Sequence, residues 1–297
     1  MKHIIRRDLT TRLPRPVVGC ALQGDKFLAM AVSGSRDGWT IHWYRAGTLG
    51  NEERLAELVA AVGRTPFWVV PRKEGAAQRD FAFAADIPEE IARGERERAA
   101  ALRTQVETRF ANVAQAVEAG GVDVRGPSGR HLVAFGAIRP AVDDDLRYWR
   151  RQRRIREPHV AAPAAAIANL YVACCPPDLA GDKMRLVIVQ GRVTTTAVVM
   201  DGWKLVDAVE YQMLEGQTLD ALLVQDWVDY VRQRHPSQRI APEPLVVSAA
   251  PVAGFATWNP FAADGPVSAA SPETIEELCG EMGFSAIAFG MALQGGN

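Results

Sequence analysis

The same order of apolar and polar runs occurs twice along the chain. Each copy contains an apolar run, a Gln-Gly turn, a second apolar run and an Asp-Gly-Trp turn. The copies run from Val17 to Trp39 and from Leu186 to Trp203. Runs of about 4 to 8 residues rich in β-branched side chains are typical of strands, and Asp-Gly between such runs favours a hairpin. Each copy is therefore predicted to be a meander of hairpin-linked strands; the alternative is a chance likeness between two hydrophobic hairpins.

Apolar spacing and capping residues predict helices and further strands after each meander. After the first copy these are a helix between Asn51 and Gly63, a strand Phe67 to Val70, a helix from Pro88 to about Phe110, strands near Val122 to Val124 and His131 to Ile138, and helices Ala141 to Ile155 and Ala164 to Cys174. After the second they are a helix capped by Thr218, a strand Leu245 to Ser248, a helix from Ser271 and a final helix Ser285 to Gln294. Two such units predict a duplicated α/β architecture with a cleft between its halves. The Pro-rich linker Cys174 to Asp182 divides the chain into residues 1–182 and 183–297.

Charge and composition narrow the class of protein. A net charge of -1 and a pI near 6.5 give no overall attraction to nucleic acid or anionic lipid. No segment approaches the roughly 20 apolar residues that a membrane span needs. The stretch Met1 to Pro16 is basic and broken by prolines, unlike a secretory signal. Four cysteines without CxxC spacing and five histidines without paired-ligand spacing imply neither a disulfide framework nor a metal site. We expect a cytoplasmic protein that does not itself span the membrane.

Taken together, the order of elements resembles the actin-like ATPase superfamily. Within it, the chain is most similar to the family of the type IV pilus assembly protein PilM and to the cytoplasmic-domain family of the type II secretion protein GspL. The matching pieces are the opening meander, the stretch His131 to Trp149 before the Ala-rich helix, Thr194-Thr195-Thr196 in the second meander, the stretch Leu245 to Ala250, and the stretch Ala286 to Leu293 of the final helix.

The resemblance implies an α/β fold of the duplicated actin-like (ribonuclease H-like) type with two lobes. Residues 1–182 would form the first lobe, with an inserted subdomain at about Phe67 to Ile138. Residues 183–297 would form the second lobe, whose final helix, 285–294, packs back on the first. In the pilus family a groove between the insert and the main lobe receives a short N-terminal cytosolic segment of a single-span membrane partner.

The resemblance also marks what this chain lacks at the nucleotide site. In the family each meander carries an Asp-x-Gly turn, whose carboxylate orders Mg²⁺ and whose Gly lets the backbone approach the phosphates. Here neither slot has a carboxylate, whether the first is aligned on the family or on the repeat's own glycine. The slots hold Ala21, Leu22, Gln23 and Gly24 in the first meander and Val189, Gln190 and Gly191 in the second. Nearby Asp25 lies at the crest of its turn and is expected to be solvated.

Two further losses point the same way. Family members place a small subdomain after the helix that follows the second meander, but only the short loop Pro236 to Pro244 occurs here. The second small subdomain is therefore expected to be reduced or absent. The family's Gly-Gly adenosine turn is replaced by Ala249 and Ala250, whose methyl groups would stand where a ligand must approach. With Thr194, these positions mark a decayed nucleotide site, so we expect no catalytic residue, no cofactor and no metal.

The densest charge in the chain is an arginine cluster at the end of the helix Ala141 to Ile155. Its members include Arg147, Arg150, Arg151, Arg153 and Arg154. One interpretation is a solvated helix face, balanced by acids at the other end of the helix. The other is a binding surface for an acidic partner segment or for membrane lipids. Nucleic acid is disfavoured, because no aromatic residues are interleaved with the arginines to stack on bases.

These observations together lead to one expectation and two alternatives. The expectation is a non-catalytic actin-like scaffold of a type IV pilus or type II secretion inner-membrane platform, bound to a cytosolic segment of a single-span inner-membrane protein and possibly to other pilus or secretion components. It would be cytoplasmic and peripheral to the inner membrane through its partners. The alternatives are an active nucleotide-binding ATPase or sugar-kinase relative, and a filament-forming actin relative.

Overall fold

The structure is a computed structural model. It describes residues 4–5, 12–35, 37–70, 81–85, 96–97, 100–101, 104, 117–126, 129–138, 148–149, 151–152, 155, 158–180, 184–191, 194–202, 204–212, 218–234 and 242–295. Most of the two helices expected at Pro88 to Phe110 and Ala141 to Ile155 lies outside the described residues. Their described members 96–97, 100–101, 104, 148–149 and 151 are helical, but 152 and 155 are bends, so the second helix does not extend to the expected Ile155.

The described residues form strands and helices with the following bounds. The strands are β1 (Ile4–Ile5), β2 (Arg12–Gln23), β3 (Lys26–Ser35), β4 (Gly38–Thr48), β5 (Phe67–Val69), β6 (Phe81–Ala85), β7 (Val117–Gly126), β8 (Gly129–Ile138), β9 (His159–Val160), β10 (Met184–Gln190), β11 (Thr194–Asp201), β12 (Lys204–Gln212), β13 (Glu243–Val247), β14 (Ala256–Trp258) and β15 (Val267–Ala269). The helices are α1 (Glu52–Val62), α2 (Pro163–Cys174), α3 (Pro177–Ala180), α4 (Ala221–Arg234), α5 (Pro272–Gly280) and α6 (Met282–Leu293).

The two meanders are the centres of two sheets with the same topology. The first-lobe sheet has the strand order β15-β4-β3-β2-β5-β9, and the second-lobe sheet has the order β12-β11-β10-β13-β14. In both, the three meander strands are antiparallel, and the next two strands are added in parallel beside the first. Apart from β15, the two orders are identical, which confirms the predicted duplication.

A β-bulge lies at the same place in both copies. Val32 pairs with Ile41 while Ala31 pairs with Trp43, which leaves His42 as the extra residue. Val199 pairs with Asp207 while Met200 pairs with Leu205, which leaves Val206 as the extra residue. Each bulge falls three residues after the Trp of its Asp-Gly-Trp motif. Because bulges increase local twist, the two third strands bend at equivalent points.

A separate four-stranded sheet, with the order β1-β7-β8-β6, forms the insert of the first lobe. Its strand β6 falls in a stretch for which the sequence pattern gave no strand. The expected lower boundary of the insert was also wrong, because Phe67–Val69 pair with Val18 to Cys20 of β2. This strand therefore belongs to the first-lobe sheet, and the insert begins after it.

The chain crosses back from the second lobe to the first near its end. After β14, strand β15 pairs in parallel with Trp39 to Ile41 of β4. Helix α6 then lies against α2 and β2. All twelve residues of α2 are buried, as expected for a helix that is apolar on every side. These two helices fill the space behind the first-lobe sheet. Within the described part of the chain, no helix is both long enough and apolar enough to cross a bilayer.

Candidate functional site

The two Gln-Gly turns meet at one cleft. A cavity of about 370 Å³ lies beside Gln23, Gln190 and Gly191, the loop after β13, and residues 281–284 at the start of α6. Ala249 and Ala250 of that loop also line it. The tertiary structure thus brings both hairpin turns and the alanine pair to one place, although they come from three distant parts of the sequence.

Direct contact between the turns closes the space between them. Gly191 faces the side chain of Gln23 so closely that a Cβ there would collide with the Gln23 Nε2 atom. It would also lie 2.8 Å from the carbonyl oxygen of Thr194. A glycine is required at this point because any side chain would push the turns apart. The side chain of Gln23 therefore occupies the position between the two turns.

The start of α6 closes the same region from a third side. A Cβ at Gly283 would collide with the carbonyl oxygen of Gln190, so the first turn of α6 rests on the backbone of the second hairpin. Both Phe284 and Ser285 donate their backbone N–H groups to the carbonyl of Glu281, at 2.9 Å. These amides are consequently used within the helix.

Backbone donors in the cleft are also paired within their own turns. Gly191 donates its N–H to the Thr194 carbonyl at 2.9 Å. The hydroxyl of Ser248 donates to the Ala250 carbonyl at 2.7 Å and accepts from the Ala250 N–H at 3.3 Å. A phosphate-binding turn needs N–H groups directed at the ligand. The amides of Gly191 and Ala250 instead have protein partners.

A second, smaller cavity of about 30 Å³ adjoins Gln23. The predicted positions Ala21, Leu22, Gly24 and Thr194 line it together with Glu210 and Phe284. Its volume is about that of one water molecule, so no nucleotide fits there. Val189 takes no part in either cavity and is buried in the core, where it pairs with Thr196 and Val247.

Comparison with known proteins assigns this architecture. The chain is similar to a solved structure described as the PilM-PilN type IV pilus biogenesis complex, with 16% identity and a TM-score of 0.56, over 95% of this chain and 98% of that one. A Bacteroides thetaiotaomicron protein with an actin-like ATPase fold and unknown function matches at 10% identity and a TM-score of 0.42, over 80% of this chain and 83% of that one. The likeness to the first of these structures shows the fold alone, and it agrees with the duplicated actin-like fold predicted from the sequence.

Other comparisons add little to the actin-like assignment. The ethanolamine utilization protein EutJ from Carboxydothermus hydrogenoformans matches at 11% identity and a TM-score of 0.38, over 95% of this chain and 91% of that one. No protein-family model matches the sequence. No curated protein matches it either.

Two acidic residues that the sequence pattern did not predict as site residues lie at the cleft. Glu281 lines the larger cavity and Glu210 the smaller one. No motif surrounds either residue, and only the packing of α6 and β12 brings them to the cleft. Among the described residues, no group of three or more His, Cys, Asp or Glu side chains could hold a metal ion. Asp25, next to the first turn, is exposed.

Thiol chemistry is also disfavoured near the first turn. Cys20 is fully buried in β2, and this burial raises the pKa of its thiol far above the usual range. A thiol is nucleophilic as the thiolate, so Cys20 stays protonated and inert.

Only one member of the arginine cluster lies among the described residues. Arg151 is exposed, while Arg147, Arg150, Arg153 and Arg154 lie outside the described residues. The two residues between Arg147 and Arg150 are anchored to the first lobe, because the buried ring of Trp149 packs edge-on against Phe67 with ring centroids 5.1 Å apart. The Tyr148 hydroxyl donates to the Leu49 carbonyl at 3.4 Å.

Proposed function

We propose that this protein is a non-catalytic cytoplasmic scaffold that couples a membrane platform of type IV pilus or type II secretion type to other components. The observation that carries the proposal is the contact between the two Gln-Gly turns. In the actin-like site inferred from the sequence, Mg²⁺ and the nucleotide phosphates would lie between these turns. Here the Gln23 amide fills that position against Gly191.

The chemistry of the turns supports the same proposal. Neither family slot holds a carboxylate, and Asp25 at the crest of the first turn is exposed, so the oxygen ligands that Mg²⁺ prefers are missing from both slots. The residues at the carboxylate positions, Ala21 or Leu22 and Val189, are buried among apolar side chains. A carboxylate introduced there would be desolvated at considerable cost. These features favour a protein that keeps the actin-like fold but does not hydrolyse or transfer the phosphates of a nucleotide.

Calorimetric titration with ATP and excess Mg²⁺ tests this part of the proposal. We expect no binding heat with the wild-type protein, because neither family slot supplies a carboxylate for Mg²⁺ and the Gln23 side chain lies against Gly191 where the phosphates would bind, although a cavity of about 370 Å³ adjoins both turns. Gln23→Ala removes the obstructing amide without adding a carboxylate, and it should also fail to bind.

A micromolar dissociation constant for MgATP with the wild-type protein would overturn the proposal that the protein binds no nucleotide. It would favour the alternative of an active nucleotide-binding protein. Binding by Gln23→Ala alone would show that steric closure by Gln23 matters more than the missing carboxylates. Release of phosphate from ATP should stay at the buffer rate in both cases.

The partner is proposed by analogy. The similar solved structure is described as a PilM-PilN complex, which suggests a protein partner for this chain also. That this partner is a membrane protein follows from the family resemblance of the sequence. We place the binding surface on the first lobe, beside the insert and the arginine cluster. A groove with a few anchors can bind a short segment without nucleotide, so such a function can persist after the ATP site is lost.

Charge reversal in the cluster tests the binding surface. Replacing Arg150, Arg151, Arg153 and Arg154 with Glu should weaken recovery of a single-span protein from the native membrane fraction at least fivefold, since four attractive charges become repulsive. Binding to the wild-type protein should decline as salt rises, because salt screens exposed charges. Quantitative mass spectrometry of pull-downs measures both effects.

A matched control reverses four exposed arginines elsewhere, namely Arg45, Arg54, Arg64 and Arg232. Both variants change the net charge equally and should melt within a few degrees of the wild type, because exposed ion pairs contribute only about 0 to 1 kcal/mol each. Equal partner recovery with both variants would make the cluster an ordinary solvated helix face.

A further inference from the structure

Helix α6 joins the two lobes. It begins against the second lobe, where a Cβ at Gly283 would collide with the carbonyl oxygen of Gln190. Further along, the same helix lies on the first lobe, because a Cβ at Gly19 of β2 would collide with the backbone of Ala288 and Ala292. Both contacts are between backbones, so no side chain can rotate to make room. A single helix of twelve residues therefore fixes the second hairpin relative to the first-lobe sheet.

The linker between the lobes is held from both sides. In strand β10 of the second lobe, Arg185 donates from Nε to the Leu179 carbonyl at 2.8 Å. Its Nη1 atom donates to the Glu243 carboxylate of β13, also at 2.8 Å. From the other side, the hydroxyl of Tyr171 in α2 donates to the Ala180 carbonyl at 3.4 Å. Helix α3, which lies in the linker, is thus tied by hydrogen bonds to an element of each lobe.

Burial makes the Arg185 contact costly to break. Its side chain is 8% exposed, whereas that of Glu243 is 48% exposed. Moving the linker away would leave the buried guanidinium without one of its acceptors, and an unpaired buried charge is strongly unfavourable. We therefore expect the linker to keep its position relative to β10.

One hydrophobic core runs through both lobes. Val187, Val198 and Leu245 of the second-lobe sheet belong to the same cluster of buried side chains as α2, α6 and the first-lobe strands. Tyr171 of α2 packs edge-on against Trp258 of β14, with ring centroids 6.3 Å apart. Domains within one chain move relative to one another unless their interface is large and hydrophobic. The continuous core therefore opposes such movement.

The contact between the Gln-Gly turns acts at the cleft itself. Gln23 belongs to the first lobe and Gly191 to the second, and the side chain of one lies directly against the backbone of the other. In hinged proteins, closure of two lobes is commonly driven by a ligand bound between them. Here a side chain of the chain itself occupies that position.

We infer that the two lobes are locked in one relative orientation without any ligand. Three contacts form this interlobe lock: Gln23 against Gly191, the start of α6 against Gln190, and Arg185 against the linker. The lock goes beyond the proposed function, because it concerns the movement of the lobes and needs no partner. A protein locked in this way holds whatever binds its two lobes at a fixed spacing.

Spin labels on the two lobes measure their relative movement. The exposed positions Ala56 on α1 and Leu222 on α4 are labelled as Ala56→Cys and Leu222→Cys. Cys279, which is partly exposed, is replaced by serine; the other three cysteines are buried. We expect double electron–electron resonance to give a single narrow distance distribution. Two or more separated peaks in the ligand-free protein would overturn the lock.

A wedge at the start of α6 should release the lobes. Gly283→Leu places a side chain against the Gln190 carbonyl. We expect the distribution to become about twice as broad, since lobes that are no longer held populate several orientations. Gly280→Leu adds the same side chain where no atom lies within 4 Å of the new Cβ, and it should leave the distribution unchanged. Equal distributions for two folded variants, checked by circular dichroism, would overturn the part played by α6.

The linker contact offers a test that leaves the helix packing untouched. Arg185→Gln removes the charge and the hydrogen bonds to Leu179 and Glu243, and it should also broaden the distribution. The matched control is Arg232→Gln, which removes an exposed ion pair with Asp229 within α4 and should have no effect. Equal effects of the two substitutions would overturn the part played by Arg185.

Gln23→Ala tests the contact across the cleft. Removal of the side chain should broaden the distribution, because nothing of the first turn then lies against Gly191. Lys26→Ala shortens an exposed side chain at the same hairpin and is the control, expected to match the wild type. If neither substitution changed the distribution, Gln23 would not be part of the lock.

The same labelled protein separates the lock from the proposed function. Excess MgATP should shift the mean distance by less than about 2 Å, the size at which a domain rearrangement becomes evident. Calorimetric binding of MgATP with an unchanged distance would overturn the proposal of a lost nucleotide site and leave the lock intact. Several distances without any nucleotide binding would overturn the lock and leave the scaffold proposal intact.

Discussion

Replacing Gly290 with leucine should destabilise the protein by about 1 to 3 kcal/mol, the usual cost of overpacking a close contact. Gly290 lies on α6 where that helix crosses α2, and a Cβ there would collide with the carbonyl oxygen and Cα of Ala166. Both helices are buried, so neither can move away without disturbing the first-lobe sheet. The gain in helix propensity from replacing a glycine, about 0.8 kcal/mol, offsets only part of this cost. Urea denaturation followed by circular dichroism measures the change.

The matched control is Gly280→Ala at the end of α5. No atom lies near the position that its Cβ would take, so the free energy of unfolding should change by less than about 0.5 kcal/mol. The close approach to Gly290 is made by the backbone of Ala166. Unchanged stability of Gly290→Leu would contradict the close packing of α2 against α6.

Replacing Trp39 with alanine should cost about 3 to 5 kcal/mol, as large-to-small changes at buried tryptophans do. Trp39 is completely buried, and its ring packs edge-on against Phe289 of α6 with centroids 6.4 Å apart. Its backbone N–H donates to the Pro266 carbonyl at 2.7 Å, where the chain returns to the first-lobe sheet as β15. Residue 39 thus contacts both returning segments, the ring packing on α6 and the backbone N–H bonding to the residue before β15.

Two variants separate the packing of Trp39 from other effects. The indole N–H of Trp39 has no hydrogen-bond partner among the described residues, so Trp39→Phe should cost less than about 1.5 kcal/mol. Leu222→Ala removes a large apolar side chain that is 79% exposed and should change stability by less than about 0.5 kcal/mol. If Trp39→Ala were no more destabilising than Leu222→Ala, the indole would not be part of a packed core. Urea denaturation of all three variants provides the comparison.

Local signals in the sequence predicted the elements whose cause is local. Asn51 accepts a hydrogen bond from the Arg54 N–H at 3.0 Å, and Ser271 accepts one from the Thr274 N–H at 3.4 Å. A capping side chain satisfies amides only a few residues away, so its effect is visible in a short window. Helix α4, residues 221–234, has a different cap from the predicted one. Asp220 accepts a hydrogen bond from the Leu223 N–H at 2.8 Å, whereas the sequence predicted Thr218 as the cap.

Elements that depend on a distant partner were missed. Strands β6 and β15 have only five and three residues, and both are stabilised by strands far away in the sequence. Strand β15 pairs with β4, which lies near the other end of the chain. The repeated bulges at His42 and Val206 likewise carry no local signature, because a bulge is defined by the register with the neighbouring strand.

The sequence by itself determined the duplication, the absence of a carboxylate from the two family slots beside the Gln-Gly turns, and the apolar character of α2 and α6, because these depend only on residue type and spacing. Only the tertiary structure decided that the turns touch through Gln23 and Gly191, that Glu210 and Glu281 reach the cleft, and that residues 4–5 cover part of β7. The physical reason is that these features are distances between segments far apart in the chain. Such distances are fixed when the sheets and buried helices pack against one another, and no short stretch of sequence contains them.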